Sequence, residues 1–110
     1  MTRPKHTPCI DRAHLAEQTD GDADLAAELL GLFAGQCDRL LPVIADTAGE
    51  RAVRADAAHT LRGSAAGVGA NEIRGLCEAI ETKLRTGSEP GTADLREAVA
   101  RALADIADAA

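Results

Sequence analysis

The chain has no tryptophan and no tyrosine, and Phe33 is its one aromatic residue. With a net charge of −6 at pH 7, it lacks both the aromatic platforms and the overall basic surface that nucleic-acid binders use, so a nucleic-acid role is excluded. No apolar run approaches the roughly 20 residues of a membrane span. The opening Met1-Thr2-Arg3-Pro4-Lys5-His6 has no apolar stretch of the signal-peptide kind. A cytoplasmic protein with no membrane contact is therefore expected. Cysteine is scarce: Cys9, Cys37 and Cys77 are odd in number and far apart, which is no disulfide framework. Cys37 and Cys77 fall on apolar stripes and read as small core residues. His6, Cys9 and His14 sit close in sequence but lack the fourth ligand of a tetrahedral site, so no metal is expected.

What is abundant is alanine and leucine, with few β-branched residues. That composition favours helices packed closely through small side chains. A length of 110 residues suits one domain with one core. Residues 1–9 read as a flexible tail and residues 10–110 as the domain. Asp11 can cap a short helix, with Ile10 and Leu15 at the two staple positions. A turn at Thr19-Asp20-Gly21 leads into a long helix from about Asp22, with Leu25, Leu29, Phe33, Cys37, Leu40 and Ile44 on one face. Pro42 is expected to bend or interrupt it near residues 38–42, and Gly49 to end it. A third helix spans about 51–66, and Gly67 and Gly69 allow a tight reversal after it. A fourth, about 70–86, buries Ile73, Leu76, Cys77, Ile80 and Leu84. After Gly87-Ser88-Glu89-Pro90-Gly91, Thr92 can cap a last helix with Leu95, Val99, Leu103 and Ile106 inward. The fold class expected is all-α: an antiparallel up-down-up-down four-helix bundle with a short N-terminal covering helix.

The third helix is unusual. Val53, Ala57, Leu61 and Ala65 share a four-residue spacing that marks one apolar stripe, and His59 falls about 160° to 200° from Ala57 and Leu61. Its neighbours on the outer face, Ala55, Arg62, Gly63 and Ala66, are small apart from the arginine. Gly63 inside a helix costs roughly 1 kcal/mol relative to alanine. A side chain there would stand beside the imidazole and obstruct an approaching group. Residues 51–85 hold six Lys or Arg and four acids, a local +2 inside an acidic chain, so a phosphoryl group or an acidic pocket is drawn to this region at low ionic strength.

Residues 57–81 resemble the histidine-containing phosphotransfer (HPt) domain of phosphorelays, whose signature is read here as His59, Arg62, Gly63-Ser64, Val68-Gly69-Ala70 and Leu76-Cys77-Glu78-Ala79-Ile80-Glu81. The likeness is looser over about 22–108. It departs in having arginine for the commoner lysine at 62, glycine at 67 and valine for leucine at 68. The resemblance implies a carrier that receives phosphate on His59 from an aspartyl-phosphate receiver domain and delivers it to another. Its partners would be response-regulator receiver domains and a hybrid histidine kinase. The sequence pattern shows no obvious dimer seam, so a monomer is expected. The chain has neither the glycine-rich cradle nor the acidic cluster that nucleotide and Mg²⁺ need. It should bind no cofactor of its own, the Mg²⁺ of the transfer belonging to the receiver.

Neutral imidazole is a nucleophile near pH 7 and forms a labile N–P bond, with Nε2 the expected attacking atom. Arg62, one turn on, is placed to hold phosphoryl oxygens through its planar fork. Glu81 and Arg85 correspond to family positions beside the histidine. They either orient the imidazole, touch phosphate, or form a plain surface ion-pair edge. Ser64 lies nearer the buried side and reads as a hydrogen bond between helices. Ala55, Arg62, Gly63 and Ala66 form the docking face, with apolar contacts from the first two helices around His59, and either Gln36 or Arg39 could approach from the long helix. Two other readings stay open. One is the phosphoacceptor domain of a chemotaxis-type histidine kinase, which needs an excised fragment. The other is a non-catalytic helical adaptor whose His59 is merely exposed. The phosphoacceptor helix of ordinary sensor kinases fits less well, because Thr60 and Gly63 replace its acid and proline.

Overall fold

The computed structural model describes residues 9–109, so the expected tail before Cys9, and His6 with it, lie outside the described residues. Five helices make up the described chain: α1 Arg12–Gln18, α2 Ala23–Ala45, α3 Arg51–Val68, α4 Asn71–Arg85 and α5 Ala93–Ala109, with no strand among the described residues. The all-α class expected from composition is what is found.

Local chemistry explains where the helices start. Asp11 caps α1 by accepting from the His14 amide, and Asp22 caps α2 by accepting from Leu25. Ile10 and Leu15, the staple pair around the first cap, are both buried. Pro42 does not interrupt α2, which runs through it to Ala45. Gly49 lies in the turn beyond, where its amide donates to the Asp46 carbonyl. The end of α3 also differs from expectation. Gly67 is helical, and the reversal is made by Gly69 alone, at φ +78°. Its amide donates to Ala65 and Ala66 carbonyls, closing the last turn. A Cβ at Gly69 would stand 2.8 Å from the Asp11 carbonyl oxygen, and the Asp11 amide donates to the Gly69 carbonyl at 2.8 Å. Glycine thus lets α1 dock directly against the end of α3.

The core is shared by all five helices. Phe33, Cys37 and Ile44 of α2, Leu61 and Ala65 of α3, Ile73, Cys77, Ile80 and Leu84 of α4, and Leu95 and Val99 of α5 are buried. Leu25, expected inward, lies at the surface, whereas Leu29 is half-buried against the core; Leu32, beside that face, is 65% exposed. The apolar stripe of α3 is also shifted. Val53 is 52% exposed, and the buried line is Arg54, Ala58, Leu61, Ala65 and Val68. A strict four-residue spacing turns about 40° around the helix per step, so Val53 has left the face that Ala65 occupies. The 54-58-61-65-68 line alternates steps of four and three and stays on one side.

Arg54, 1% exposed, is among the largest fully buried side chains. Its Nε donates to the Ile44 carbonyl at 3.0 Å, while Nη1 and Nη2 donate to the two oxygens of Glu89 at 2.9 and 2.8 Å. One guanidinium thereby ties the end of α2, the start of α3 and the α4–α5 loop. The hydrogen bond with Glu89 raises the Arg54 pKa despite burial, and the same bond holds the Glu89 carboxyl below its ordinary value.

Candidate functional site

His59 lies on the outer side of α3 with 56% of its side chain exposed. Nδ1 is 3.2 Å from Glu81 Oε1 on α4 and 3.2 Å from Arg62 Nη2 one turn along α3. Nε2 makes no hydrogen bond among the described residues, so the nitrogen farther from the backbone is the open one. An imidazole nitrogen either carries a proton and donates, or offers a lone pair and accepts. Nδ1 therefore bonds Glu81 when protonated and Arg62 when not, and only the first state leaves Nε2 with a lone pair.

The carboxylate is held from behind. Arg85 Nε donates to Glu81 Oε2 at 2.9 Å, and Arg85 Nη2 donates to Asp56 Oδ1 at 3.0 Å. Desolvation works to raise the Glu81 pKa, but hydrogen bonds from Arg85 and His59 outweigh it and the net shift is downward. Glu81 is thus an ionised acceptor at neutral pH. Arg85 is shifted upward by its bonds to Asp56 and then Glu81. On the other side, Arg62 Nη1 approaches Glu78 Oε2 at 3.5 Å. Asp56, Arg85, Glu81 and His59 form one chain of contacts across the α3–α4 seam, with Arg62 and Glu78 a second branch. Asp56, one turn before His59, had drawn no attention in the sequence; its three-residue offset on the same helix face is the signal that could have found it.

The other expected site residues fall out unevenly. Gly63 is exposed, with nothing within 4 Å of where a Cβ would stand. Ala66 is half-buried, and its carbonyl accepts from His14 Nε2 at 3.0 Å. That bond occupies the histidine once considered for a metal, and no metal-ligating group of three or more residues occurs among those described. Ala55 corrects the docking face: it is fully buried. It lies about 40° from His59 on the flank turned to α4, the flank from which Glu78 and Glu81 reach across, and a methyl group there does not extend past the neighbouring helix. Ser64 is half-buried and makes no side-chain hydrogen bond among those found, so it does not tie two helices. It lines a groove with Leu29, Leu32, Phe33 and Gln36 of α2 and with Gly67. Of the two candidates on α2, Gln36 enters that groove while Arg39 is exposed, and neither bonds His59.

Cys37 and Cys77 are fully buried. Burial pushes their thiols up to about 11 and about 12, which keeps both protonated and inert.

The bundle thus exposes one imidazole nitrogen, with a carboxylate and a guanidinium group at the other and a second guanidinium group behind the carboxylate. A family model described as the Hpt domain matches residues 28–109. The chain belongs to the Hpt domain family, a family of histidine phosphotransfer in phosphorelays. Neither the comparison with curated proteins nor that with solved structures returned a match. No helix among the described residues is long and apolar enough to cross a membrane.

Proposed function

We propose that the protein is a phosphorelay intermediate in which His59 takes a phosphoryl group from the aspartyl phosphate of one receiver domain and passes it to another. The observation that carries this reading is the asymmetry of the imidazole: Nδ1 is engaged by Glu81 and Arg62, and Nε2 is open. With Nδ1 protonated, the Nε2 lone pair attacks phosphorus, the bond from phosphorus to the aspartyl oxygen breaks, and the aspartate leaves as a carboxylate. The positive charge left on the ring is balanced by Glu81, whose contact with Nδ1–H strengthens as that charge develops. Arg62 leaves Nδ1 in this state and is within reach to bond phosphoryl oxygens. Arg85 keeps Glu81 in place. The second transfer reverses these steps onto a new aspartate.

In-line placement and charge neutralisation suffice for such a transfer. The site carboxylates Asp56, Glu78 and Glu81 each have an arginine partner, which fits a Mg²⁺ held by the receiver and none held here. The open strip around His59, Gly63 and Ala66 would be the docking face. In this proposal residues 10–110 fold as one unit with α2 to α5 alternating in direction under α1, and the carrier works as a cytoplasmic monomer.

The test is transfer from a phosphorylated receiver domain with Mg²⁺ and no ATP, following acid-labile phosphate. Label on the wild type and none on His59→Gln is expected. Equal labelling of both, or of neither with receivers that do discharge to other carriers, would reject the reading.

A further inference from the structure

Two ion pairs cross the seam between α3 and α4 beside His59, and they are built in opposite senses. Arg62, three residues after His59 on α3, is met by Glu78 of α4, Nη1 to Oε2 at 3.5 Å. Arg85 of α4 is met by Asp56, three residues before His59 on α3, Nη2 to Oδ1 at 3.0 Å. Each guanidinium is thus tethered by a carboxylate from the facing helix. Both tethers are open to solvent, with 60% of the Glu78 side chain and 74% of the Asp56 side chain exposed. Neither bonds the imidazole, whose Nδ1 partners are Glu81 and Arg62. Together with Glu81 they give the site three carboxylates against two guanidinium groups. The ring is therefore surrounded by one more negative charge than positive, before a phosphoryl group brings about two further negative charges.

Exposed ion pairs add little to stability, but these two occupy N–H groups that phosphoryl oxygens would otherwise take. We propose that Glu78 and Asp56 are positioning residues that hold Arg62 and Arg85 back from the phosphoryl group, so that phospho-His59 is kept ready for discharge instead of being trapped. The proposal rests on the phosphotransfer reading. In loading, the bond from Nε2 to phosphorus forms, the bond from phosphorus to the donor's aspartyl oxygen breaks, and the proton on Nδ1 stays in place. Discharge reverses this onto a second aspartate. A guanidinium closed fully on the phosphoryl oxygens would stabilise the loaded state, and discharge would have to undo that stabilisation. Glu78 competes with the phosphoryl oxygens for Arg62 and Asp56 competes for Arg85, while both carboxylates repel the phosphoryl charge. All of these effects favour discharge.

Glu78→Gln and Asp56→Asn keep the size of each side chain and remove its charge. Each variant and the wild type are brought to equilibrium with one phosphorylated receiver domain and Mg²⁺, without ATP, and the phosphoryl group on each protein is quantified. The partition should shift about two- to fivefold toward phospho-His59 in each variant, with slower discharge to the receiver. The shift should shrink in high salt, because exposed charges are screened. In an Arg62→Gln background, Glu78→Gln should lose much of its effect. An undiminished effect there would show that Glu78 does not act through Arg62 and would overturn the tether. A shift away from phospho-His59 would mean that the carboxylates aim the guanidinium groups at phosphate, and an unchanged partition that they are plain surface pairs. Either result overturns the proposal. No label on His59 from any receiver removes the carrier reading and this proposal with it, whereas label with an unshifted partition removes this proposal alone.

Discussion

Glu81 Oε1 stands 3.2 Å from Nδ1 of His59, and its other oxygen is held by Arg85 at 2.9 Å. Glu81 is thereby fixed as a hydrogen-bond acceptor at one nitrogen of the ring. Arg62, at 3.2 Å from the same Nδ1, favours the opposite tautomer. The two neighbours compete for one atom, and the nucleophilic state is the one in which Glu81 prevails.

Glu81→Ala removes that bias. The ring should shift toward the Nε2–H form, visible in ¹⁵N-resolved NMR of the imidazole, and phosphoryl transfer should slow by about tenfold, the equivalent of one charge-assisted hydrogen bond. Unchanged tautomer populations would show that Glu81 is only half of a surface ion pair.

Gly63 is free of neighbours on the exposed face. Gly63→Ala should raise stability by about 0.5–1 kcal/mol through helix propensity. Gly63→Gln should keep the helical circular dichroism but slow transfer from a receiver on the order of 10²-fold by displacing the incoming phosphoryl group. Normal kinetics in Gly63→Gln would contradict the docking face.

Gly69 faces the opposite constraint. At φ +78° and with a Cβ position 2.8 Å from the Asp11 carbonyl oxygen, Gly69→Ala should cost about 1–3 kcal/mol and loosen α1 from α3. Thermal melts measure the first effect, and faster hydrogen exchange at the Asp11 amide measures the second.

The Arg54–Glu89 pair links stability to pH. The Glu89 and Glu81 pKa values are lowered in the folded protein, so folding gains stability from their ionisation above the ordinary glutamate range. That gain is lost as pH falls from about 5 through the lowered folded values. Glu89→Gln should flatten the acid limb of the stability profile. Arg54→Leu should cost about 1–3 kcal/mol at neutral pH, because the Ile44 carbonyl loses its donor.

Much of this was legible in the chain. The cap at Asp11, the start of α2 near Asp22, the Ile10–Leu15 staple and the outward His59 follow from local rules that act over one or two turns. Features set by neighbouring helices did not. Ala55 looked open because a helical wheel has no second helix in it, and α4 closes that flank. Arg54 counted as one positive charge among twelve, although its place on the 54-58-61-65-68 line marks it as inward-facing. Pro42 was expected to bend or interrupt α2, and the helix runs through it without interruption. Ser64 and Gly67 were read as a tie and a turn, and became parts of a groove because α2 leaves Leu32 and Gln36 facing them. Asp56 acquires significance only once Arg85 reaches it across the seam.

The central claim concerns one atom. The protein should be phosphorylated by a receiver domain bearing an isotope-labelled phosphoryl group, with Mg²⁺, and then observed by ³¹P–¹⁵N correlation. A single phosphohistidine is expected, with phosphorus bonded to Nε2 of His59 and Nδ1 protonated against Glu81. Phosphorus on Nδ1, or on His14, would contradict the account.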